Sequence, residues 1–188
     1  MEIFENVVFE NLDFRTGLLK KGEYENCTFN KCNFSGSDLN SFKFIDSTFE
    51  NSDLSSANIN KVVLRDVKFK DCKMVGLKFD TADSFGISIA IDNCILTYSS
   101  FYKLKLKNMD FLNSKLNEVD FTESDLTNSV FNNCDLSNAV FSATNLEKVD
   151  FTSSFNYSID LENNKLKKSK HSINNLAGLL EKYNLIIE

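Results

Sequence analysis

The residues of this chain that could perform chemistry are five cysteines, one histidine and an excess of carboxylates. Cysteine and histidine bind zinc, but a zinc site needs ligands at close, paired spacing. His171 stands in a polar stretch beside Lys168 and Lys170, with no serine or cysteine partner that the sequence can assign. The cysteines lie five, forty, twenty-two and forty residues apart, at Cys27, Cys32, Cys72, Cys94 and Cys134. This spacing predicts no metal, and the histidine is expected to be an ordinary surface residue.

Other catalytic patterns are also missing from the sequence. The six glycines are scattered and form no phosphate-binding loop, so no nucleotide cofactor is expected. Carboxylate pairs occur, but acid–base catalysis would need a cleft that shifts their pKa values. The sequence therefore predicts a binding protein without catalytic residues or cofactors, and not an enzyme.

Length and composition restrict the class of protein further. The 188 residues suffice for one domain with a buried core, and 42% of them are hydrophobic, which argues against disorder. The formal net charge of −6 disfavours direct binding to nucleic acid. No segment approaches the ~20 apolar residues of a membrane span, and the acidic N-terminus lacks the apolar core of a signal peptide. We therefore expect a cytoplasmic protein with reduced thiols.

A period of five residues runs through most of the chain. Every fifth residue is apolar from Phe4 to Phe79 and again from Leu96 to Phe151, and Leu and Phe alternate in the second stretch. This period matches neither an α-helix, at about 3.6 residues, nor a β-strand, at about 2. The position two residues before each large apolar residue is usually small, and the other three positions are mostly polar. Each unit therefore supplies one large and one small side chain to an interior.

A square coil satisfies this pattern, with one five-residue unit on each side. Coils of about 20 residues would stack at the ~4.8 Å spacing of β-strands, so that like side chains form ladders. All five cysteines fall at the small inward position, where a thiol acts as a small hydrophobic group. The sequence predicts one ladder of Phe9, Phe29, Phe49 and Phe69, and another of Phe111, Phe131 and Phe151.

Several units resemble the A(D/N)LXX motif of pentapeptide-repeat proteins. Examples are SDLTN at 124–128, CDLSN at 134–138 and AVFSA at 139–143. The resemblance covers roughly residues 2–155 and implies the fold of that family, an all-β, right-handed quadrilateral β-helix. We accordingly expect residues 1–155 to form this β-helix.

The register of the repeat breaks once. Phe79 and Leu96 are 17 residues apart, which is three units plus two residues and places a slip at 80–95. Within it Ile87, Ile89 and Ile91 alternate, as in a half-buried strand. The slip is either a bulge in the β-helix or a loop that contacts a partner, because loops on rigid scaffolds often carry function.

The repeat fades after Phe151, so residues 156–188 are expected to form a C-terminal cap or dimerisation segment. Ser172 can act as an N-cap and Asn184 can end a helix in the left-handed conformation, which predicts a helix near 172–183. The apolar stripe of this helix and the tail behind it either cover the open end of the solenoid or pair with a second molecule. The dimer interface would contain Ile173, Leu176, Leu180, Tyr183, Leu185, Ile186 and Ile187.

The acidic excess lies mostly in the second half of the chain. Residues 111–160 carry two lysines and eight acids, whereas residues 1–80 carry 11 basic and 13 acidic side chains. One interpretation is a solvated surface that keeps the protein soluble. The other is a DNA mimic, whose fixed carboxylates occupy a basic DNA-binding surface. The partner-binding residues would then be Asp110, Glu118, Asp120, Glu123, Asp125, Asp135 and Asp150.

Two stretches resemble pentapeptide proteins that protect bacterial DNA gyrase, namely the quinolone-resistance group and the microcin B17 immunity protein. The stretch NLAGLLEKYNLII at 175–187 is similar to their terminal dimerisation segment, and SFGI at 84–87 to a mid-chain segment of the quinolone-resistance group. The longer loops of the quinolone-resistance proteins are missing here. The resemblance implies a homodimeric DNA mimic that binds DNA gyrase or topoisomerase IV and protects or modulates it, in drug resistance or toxin immunity. The alternative is an interaction scaffold with an unrelated protein partner.

Overall fold

Short parallel strands at regular intervals build the body of the protein. The computed structural model describes residues 2–17 and 19–186. The strands found there are β1 (Glu2–Glu5), β2 (Val8–Glu10), β3 (Gly22–Glu25), β4 (Thr28–Asn30), β5 (Lys43–Ile45), β6 (Thr48–Glu50), β7 (Val63–Arg65), β8 (Val67–Lys70), β9 (Ile89–Asp92), β10 (Asp110–Leu112) and β11 (Val130–Asn132).

The strands form the sides of a stacked coil. Side 1 carries the sheet β1-β3-β5-β7, and side 2 carries the sheet β11-β10-β9-β8-β6-β4-β2, with every pair parallel. On sides 3 and 4, isolated parallel bridges connect successive coils, such as Lys115↔Asp135 on side 3 and Ser100↔Asp120 on side 4. The predicted all-β, right-handed quadrilateral β-helix is confirmed.

The interior consists of stacked side chains in the predicted ladders. On side 2 the rings of Phe111 and Phe131 are 4.6 Å apart and inclined by 2°, and Phe151 continues the stack at 5.0 Å. Rings on adjacent sides meet edge to face, as do Phe121 and Phe131 at 87°. These are the two favourable geometries of aromatic pairs. The first coil has a neighbour on one side only, and its Leu12 is accordingly 42% exposed.

The corners of the coil explain the abundance of asparagine. Asn93, Asn113 and Asn133 occupy one corner in successive coils, each with φ between 51° and 53°. Asparagine tolerates this left-handed conformation better than most residues. The side-chain amide of Asn133 also donates to the Asn113 oxygen at 3.1 Å, and Asn113 donates to Asp92 at 2.9 Å. Corner residues therefore turn the chain and connect the coils.

The register slip lies on side 1, where two extra residues have been pushed outward. The chain leaves the coil after a 3₁₀ turn at Phe79–Thr81, and β9 rejoins side 2 with Ile91 opposite Phe69. The Asp83 N–H donates to the Val62 carbonyl at 2.8 Å and the Ser88 N–H to that of Leu64 at 3.0 Å, so both ends of the loop stay attached. At its tip Phe85 is 80% exposed.

Coil-to-coil bridges continue beyond residue 155, through Asn145↔Lys165 and Asp150↔Lys170. The spacing of five places Leu161 inside, but its side chain is 41% exposed. Polar Asn156 stands where a large apolar residue is due, and it turns at φ 61°. Tyr157 and Ile159 fill the interior instead, at 3% and 1% exposure. The inward positions therefore shift at Tyr157 and Ile159, and the register is regained at Leu166, which packs against the core.

The C-terminal helical segment is less regular than the single helix predicted for 172–183. It consists of 3₁₀ turns at Ile173–Asn175 and Glu181–Tyr183 on either side of the short helix α1 (Ala177–Leu180). The Gly178 carbonyl accepts the Ile159 N–H at 3.0 Å, so it bonds to the last coil of the solenoid. A Cβ on Gly178 would lie 1.9 Å from the Tyr157 carbonyl oxygen, so only glycine fits there. Asn184 ends the segment at φ 50°, as predicted.

Candidate partner-binding surfaces

The seven acidic residues expected to bind a partner are distributed over all four sides of the coil. Asp110 and Asp150 belong to side 2, two coils apart, and Asp135 belongs to side 3. The remaining four belong to one coil. Asp120 is on side 4 and Asp125 on side 1, with Glu118 and Glu123 at the two corners of side 4. We call these four residues, Glu118, Asp120, Glu123 and Asp125, the acidic edge.

The aspartates of this group also have a structural role. Four of the five accept the backbone N–H two residues further on, at 2.8 Å for Asp120, 3.2 Å for Asp125 and Asp135, and 3.0 Å for Asp150. This local bond supports the turn at the end of each side. This turn contact was not predicted from the sequence, although an aspartate two residues before an outward-facing serine or threonine is the signal for it.

Three of these carboxyl groups are held ionised. Burial opposes ionisation of Asp125, Asp135 and Asp150. It is outweighed by hydrogen bonds from Thr127, Ser137 and Thr152 together with contacts from Lys107, Asn117, Asn156 and Lys170, so the pKa of each aspartate is lowered. Their negative charges are therefore fixed in position at neutral pH, because the turn holds each side chain.

Lysines neutralise part of the acidic edge. Lys103 lies 3.5 Å from Glu123, and Lys107 lies 3.2 Å from Asp125. Both lysines and Glu123 are about half exposed, so each pair contributes little to stability, and a cationic side chain of a partner could displace the lysine. Glu118 has no such partner among the ion pairs of the described residues.

The expected dimer residues form an exposed apolar surface at the C-terminal end. Ile173 and Ile186 are 86% and 92% exposed, and Leu176, Tyr183 and Leu185 lie between 42% and 58%. Leu180 is partly buried, whereas its neighbour Leu179 packs against the core. Ile187 lies outside the described residues. Lys182 forms ion pairs between this segment and the last coil, with Asp160 at 3.0 Å and with Glu162 at 2.6 Å.

The cysteines lie in the core, as their inward positions predict. All five are free thiols, and burial raises the pKa of Cys134 to about 11, which keeps that thiol protonated. Within residues 2–17 and 19–186, no group of three or more His, Cys, Asp or Glu side chains could hold a metal ion.

The expectation of an ordinary surface histidine is wrong. His171 is partly buried because it follows Phe151 in the side 2 ladder, with its ring 5.5 Å from that phenylalanine. Its Nδ1 is 3.1 Å from the Tyr157 hydroxyl and its Nε2 is 2.9 Å from that of Ser169. The Ser169 hydroxyl also lies 2.9 Å from the Leu166 carbonyl, so this serine connects the histidine ring to the backbone. Burial lowers the pKa of His171.

These features define a class of protein: a parallel β-solenoid with an aromatic core, whose candidate function lies on its outer surface. A family model described as the pentapeptide repeat region matches residues 22–90, 42–121 and 88–171. The chain belongs to the pentapeptide-repeat family. No curated protein sequence matches it.

Solved structures of pentapeptide proteins share the fold along the whole chain. A trypsin-treated variant of QnrB1, a plasmid-mediated fluoroquinolone resistance protein, is 20% identical with a TM-score of 0.67, and the match covers 100% of both chains. Full-length QnrB1 is 19% identical with a TM-score of 0.65, over 98% of this chain and 100% of that chain.

HetL, from the cyanobacterium Nostoc sp. strain PCC 7120, also shares the fold. It is involved in heterocyst differentiation regulation, and it is 14% identical with a TM-score of 0.62, over 91% and 86% of the two chains. At these identities the similarity establishes the fold. In the part of the chain that the structure describes, the helices are too short to cross a membrane.

Proposed function

We propose that this protein is a non-catalytic binding protein that binds a bacterial type II topoisomerase, DNA gyrase or topoisomerase IV, and protects or modulates it. The observation that carries the proposal is the match in fold to QnrB1 over the full length of both chains. A protein that binds this target acts in the cytoplasm. Its biological setting would be drug resistance or toxin immunity.

The proposed mechanism is DNA mimicry by fixed charges. The acidic edge places four carboxylates along one coil, and Asp110, Asp135 and Asp150 add charges on the other sides. Turn hydrogen bonds hold Asp120, Asp125, Asp135 and Asp150 in place, so little side-chain entropy is lost when a basic surface meets them. A topoisomerase surface that holds DNA presents lysine and arginine, which these carboxylates would engage in place of phosphates.

The C-terminal segment, residues 156–188, is proposed to hold two protomers together. Its exposed apolar residues lie on both sides of α1 along the chain and in the tail that follows. Clusters of exposed apolar residues on a protein surface mark interaction sites. A second copy would bring an identical apolar surface, as a two-fold dimer requires. The homodimer would then be a rod about twice as long as one chain.

A second candidate function is an interaction scaffold with an unrelated protein partner. The observation in its favour is the loop at 82–88 on side 1. Its exposed Phe85 lies near Arg65, Lys103 and Lys105, which are opposite in charge to the acidic edge. Affinity capture in which no topoisomerase subunit is recovered would favour this function.

A supercoiling assay tests topoisomerase binding. We expect this protein to restore supercoiling by fluoroquinolone-inhibited DNA gyrase, or to inhibit the uninhibited enzyme, at about micromolar concentration. Binding should weaken steeply from about 50 to about 200 mM salt. Neutralising three of the four carboxylates of the acidic edge should weaken binding about tenfold or more. The variant that removes these three charges is Asp120→Asn/Glu123→Gln/Asp125→Asn.

The control removes the same charge from the N-terminal end, as Glu2→Gln/Glu5→Gln/Glu10→Gln. It should bind as the unmodified protein does. The Asp125→Asn change preserves the turn, because Asn145 occupies the same place one coil later and accepts the Glu147 N–H at 3.2 Å. Unchanged supercoiling at micromolar protein, with and without drug, would contradict the proposal.

Sedimentation velocity tests the proposed dimer. The unmodified protein should sediment as a dimer, and Ile186→Asp should give a monomer, because a charge would be placed in the apolar interface. Ile3→Asp is the matched control, since Ile3 is also more than half exposed but lies at the opposite end. A monomeric unmodified protein, or a dimeric Ile186→Asp variant, would reject this interface.

A further inference from the structure

One tyrosine at the corner between sides 3 and 4 has an exposed ring next to an acidic residue. Tyr98 is 55% exposed, and Glu118 follows it at the same corner one coil further along. The Glu118 carboxylate lies close enough to the Tyr98 hydroxyl to raise the pKa of that tyrosine. Tyr98 thus presents an aromatic face beside a carboxylate.

The coil before Tyr98 carries no side chain at this corner. Gly76 holds the same corner one coil earlier and carries no side chain there. A Cβ on Gly76 would make ordinary van der Waals contact with the Ser56 hydroxyl at 3.5 Å, and no atom of Tyr98 lies within 4 Å of it. A long side chain from another molecule could lie across Gly76 and reach the Tyr98 ring.

A similar pair nearby already holds a cation. The Tyr102 hydroxyl donates to Glu123 at 3.2 Å, and the Lys103 ammonium lies 4.7 Å from the Tyr102 ring centre and 3.5 Å from Glu123. A ring and a carboxylate at this spacing together attract a positive charge. At Tyr98 and Glu118, no ammonium or guanidinium group of residues 2–17 and 19–186 takes the corresponding place.

We infer that Tyr98 and Glu118 bind an arginine side chain of the protein partner. Guanidinium is planar, stacks on aromatic rings and bonds carboxylates with two N–H groups, whereas ammonium is a more strongly hydrated point charge. Asp120 adds negative charge on side 4. The lysines of these coils on the two sides that meet at the corner are Lys78 on side 4 and Lys73 and Lys115 on side 3. The inference rests on the proposed function and gives its acidic surface an aromatic contact.

Binding of DNA gyrase by titration calorimetry tests this site. Tyr98→Leu should weaken binding about tenfold, because the ring that stacks on the guanidinium is lost. Tyr98→Phe keeps the ring and should stay within about threefold of the unmodified protein. The matched control is Tyr102→Leu, whose ring is already occupied by Lys103, and it should change affinity less than Tyr98→Leu. Equal effects of the two leucine variants would overturn the inference.

A second measurement separates this site from the proposed target. If the unmodified protein does not bind gyrase, the topoisomerase proposal fails, and the arginine site is then judged with a hexa-arginine peptide followed by NMR. Resonances of Tyr98 and Glu118 should shift first, and hexa-lysine should shift them less. Uniform shifts at all exposed acids, or equal response to both peptides, would show only general attraction between charges and reject the site.

Discussion

Ser129→Lys is expected to leave the protein unfolded. Ser129 is fully buried at a small inward position, where its hydroxyl donates to the Leu106 carbonyl at 2.8 Å and accepts the Met109 N–H at 3.1 Å. Lysine would bring a charge into an interior with no room for it and no partner. The cost of burying such a charge is comparable to the ~5–15 kcal/mol total stability of a domain. Circular dichroism should show loss of β-structure.

The control for this substitution is its exposed neighbour in the chain, as Asn128→Lys. Asn128 lies at a corner with φ 62°, and the same corner holds Lys148 one coil later at φ 60°. Lysine is therefore compatible with that position, and the variant should melt close to the unmodified protein. A folded Ser129→Lys protein of ordinary stability would disprove the inward assignment of the small residues.

Phe121→Ala is expected to destabilise the protein by ~3–5 kcal/mol, the usual cost of a large cavity in a core. The Phe121 ring stacks on Phe101 at 5.3 Å and on Phe141 at 5.2 Å, and it meets Phe111 and Phe131 edge to face. Those rings are held by their own coils and cannot close the gap. Urea unfolding measures the loss as a lower midpoint at unchanged slope.

Phe121→Leu provides the comparison, because leucine is native at the inward positions of adjacent sides, such as Leu116 and Leu126. It should cost clearly less than the alanine variant, since most of the volume remains. If alanine and leucine cost the same small amount, the ring would not be packed in a ladder.

The sequence predicted the fold well because one requirement is repeated many times. An apolar residue at every fifth position and a small residue two places before it leave one side of each unit for the interior. The stack of Phe111, Phe131 and Phe151 follows directly from their spacing of twenty. The repeat fades at Asn156, a polar residue at a position due for a large apolar one, and Leu161, five residues further on, is 41% exposed.

The candidate site was less accessible to sequence reasoning. Asp120 and Asp125 were recognised as outward charges, but their backbone bonds depend on the turn that follows. The repeat shows that Tyr98 and Glu118 share a corner, yet an exposed tyrosine carries no signal in composition or charge. The absence of a side chain next to Tyr98 in the preceding coil is due to Gly76, and the structure was needed to place Gly76 at that corner.

The slip on side 1 has a consequence for the evolution of this architecture. Deleting or duplicating twenty residues would shorten or lengthen the rod by one coil of ~4.8 Å and leave its neighbours in register. An insertion that is not a multiple of twenty residues cannot be absorbed in that way and has to leave the coil. The two extra residues between Phe69 and Ile91 do so in the loop that carries Phe85. Such rods can therefore change length only in fixed steps, while insertions of other sizes create new surface loops.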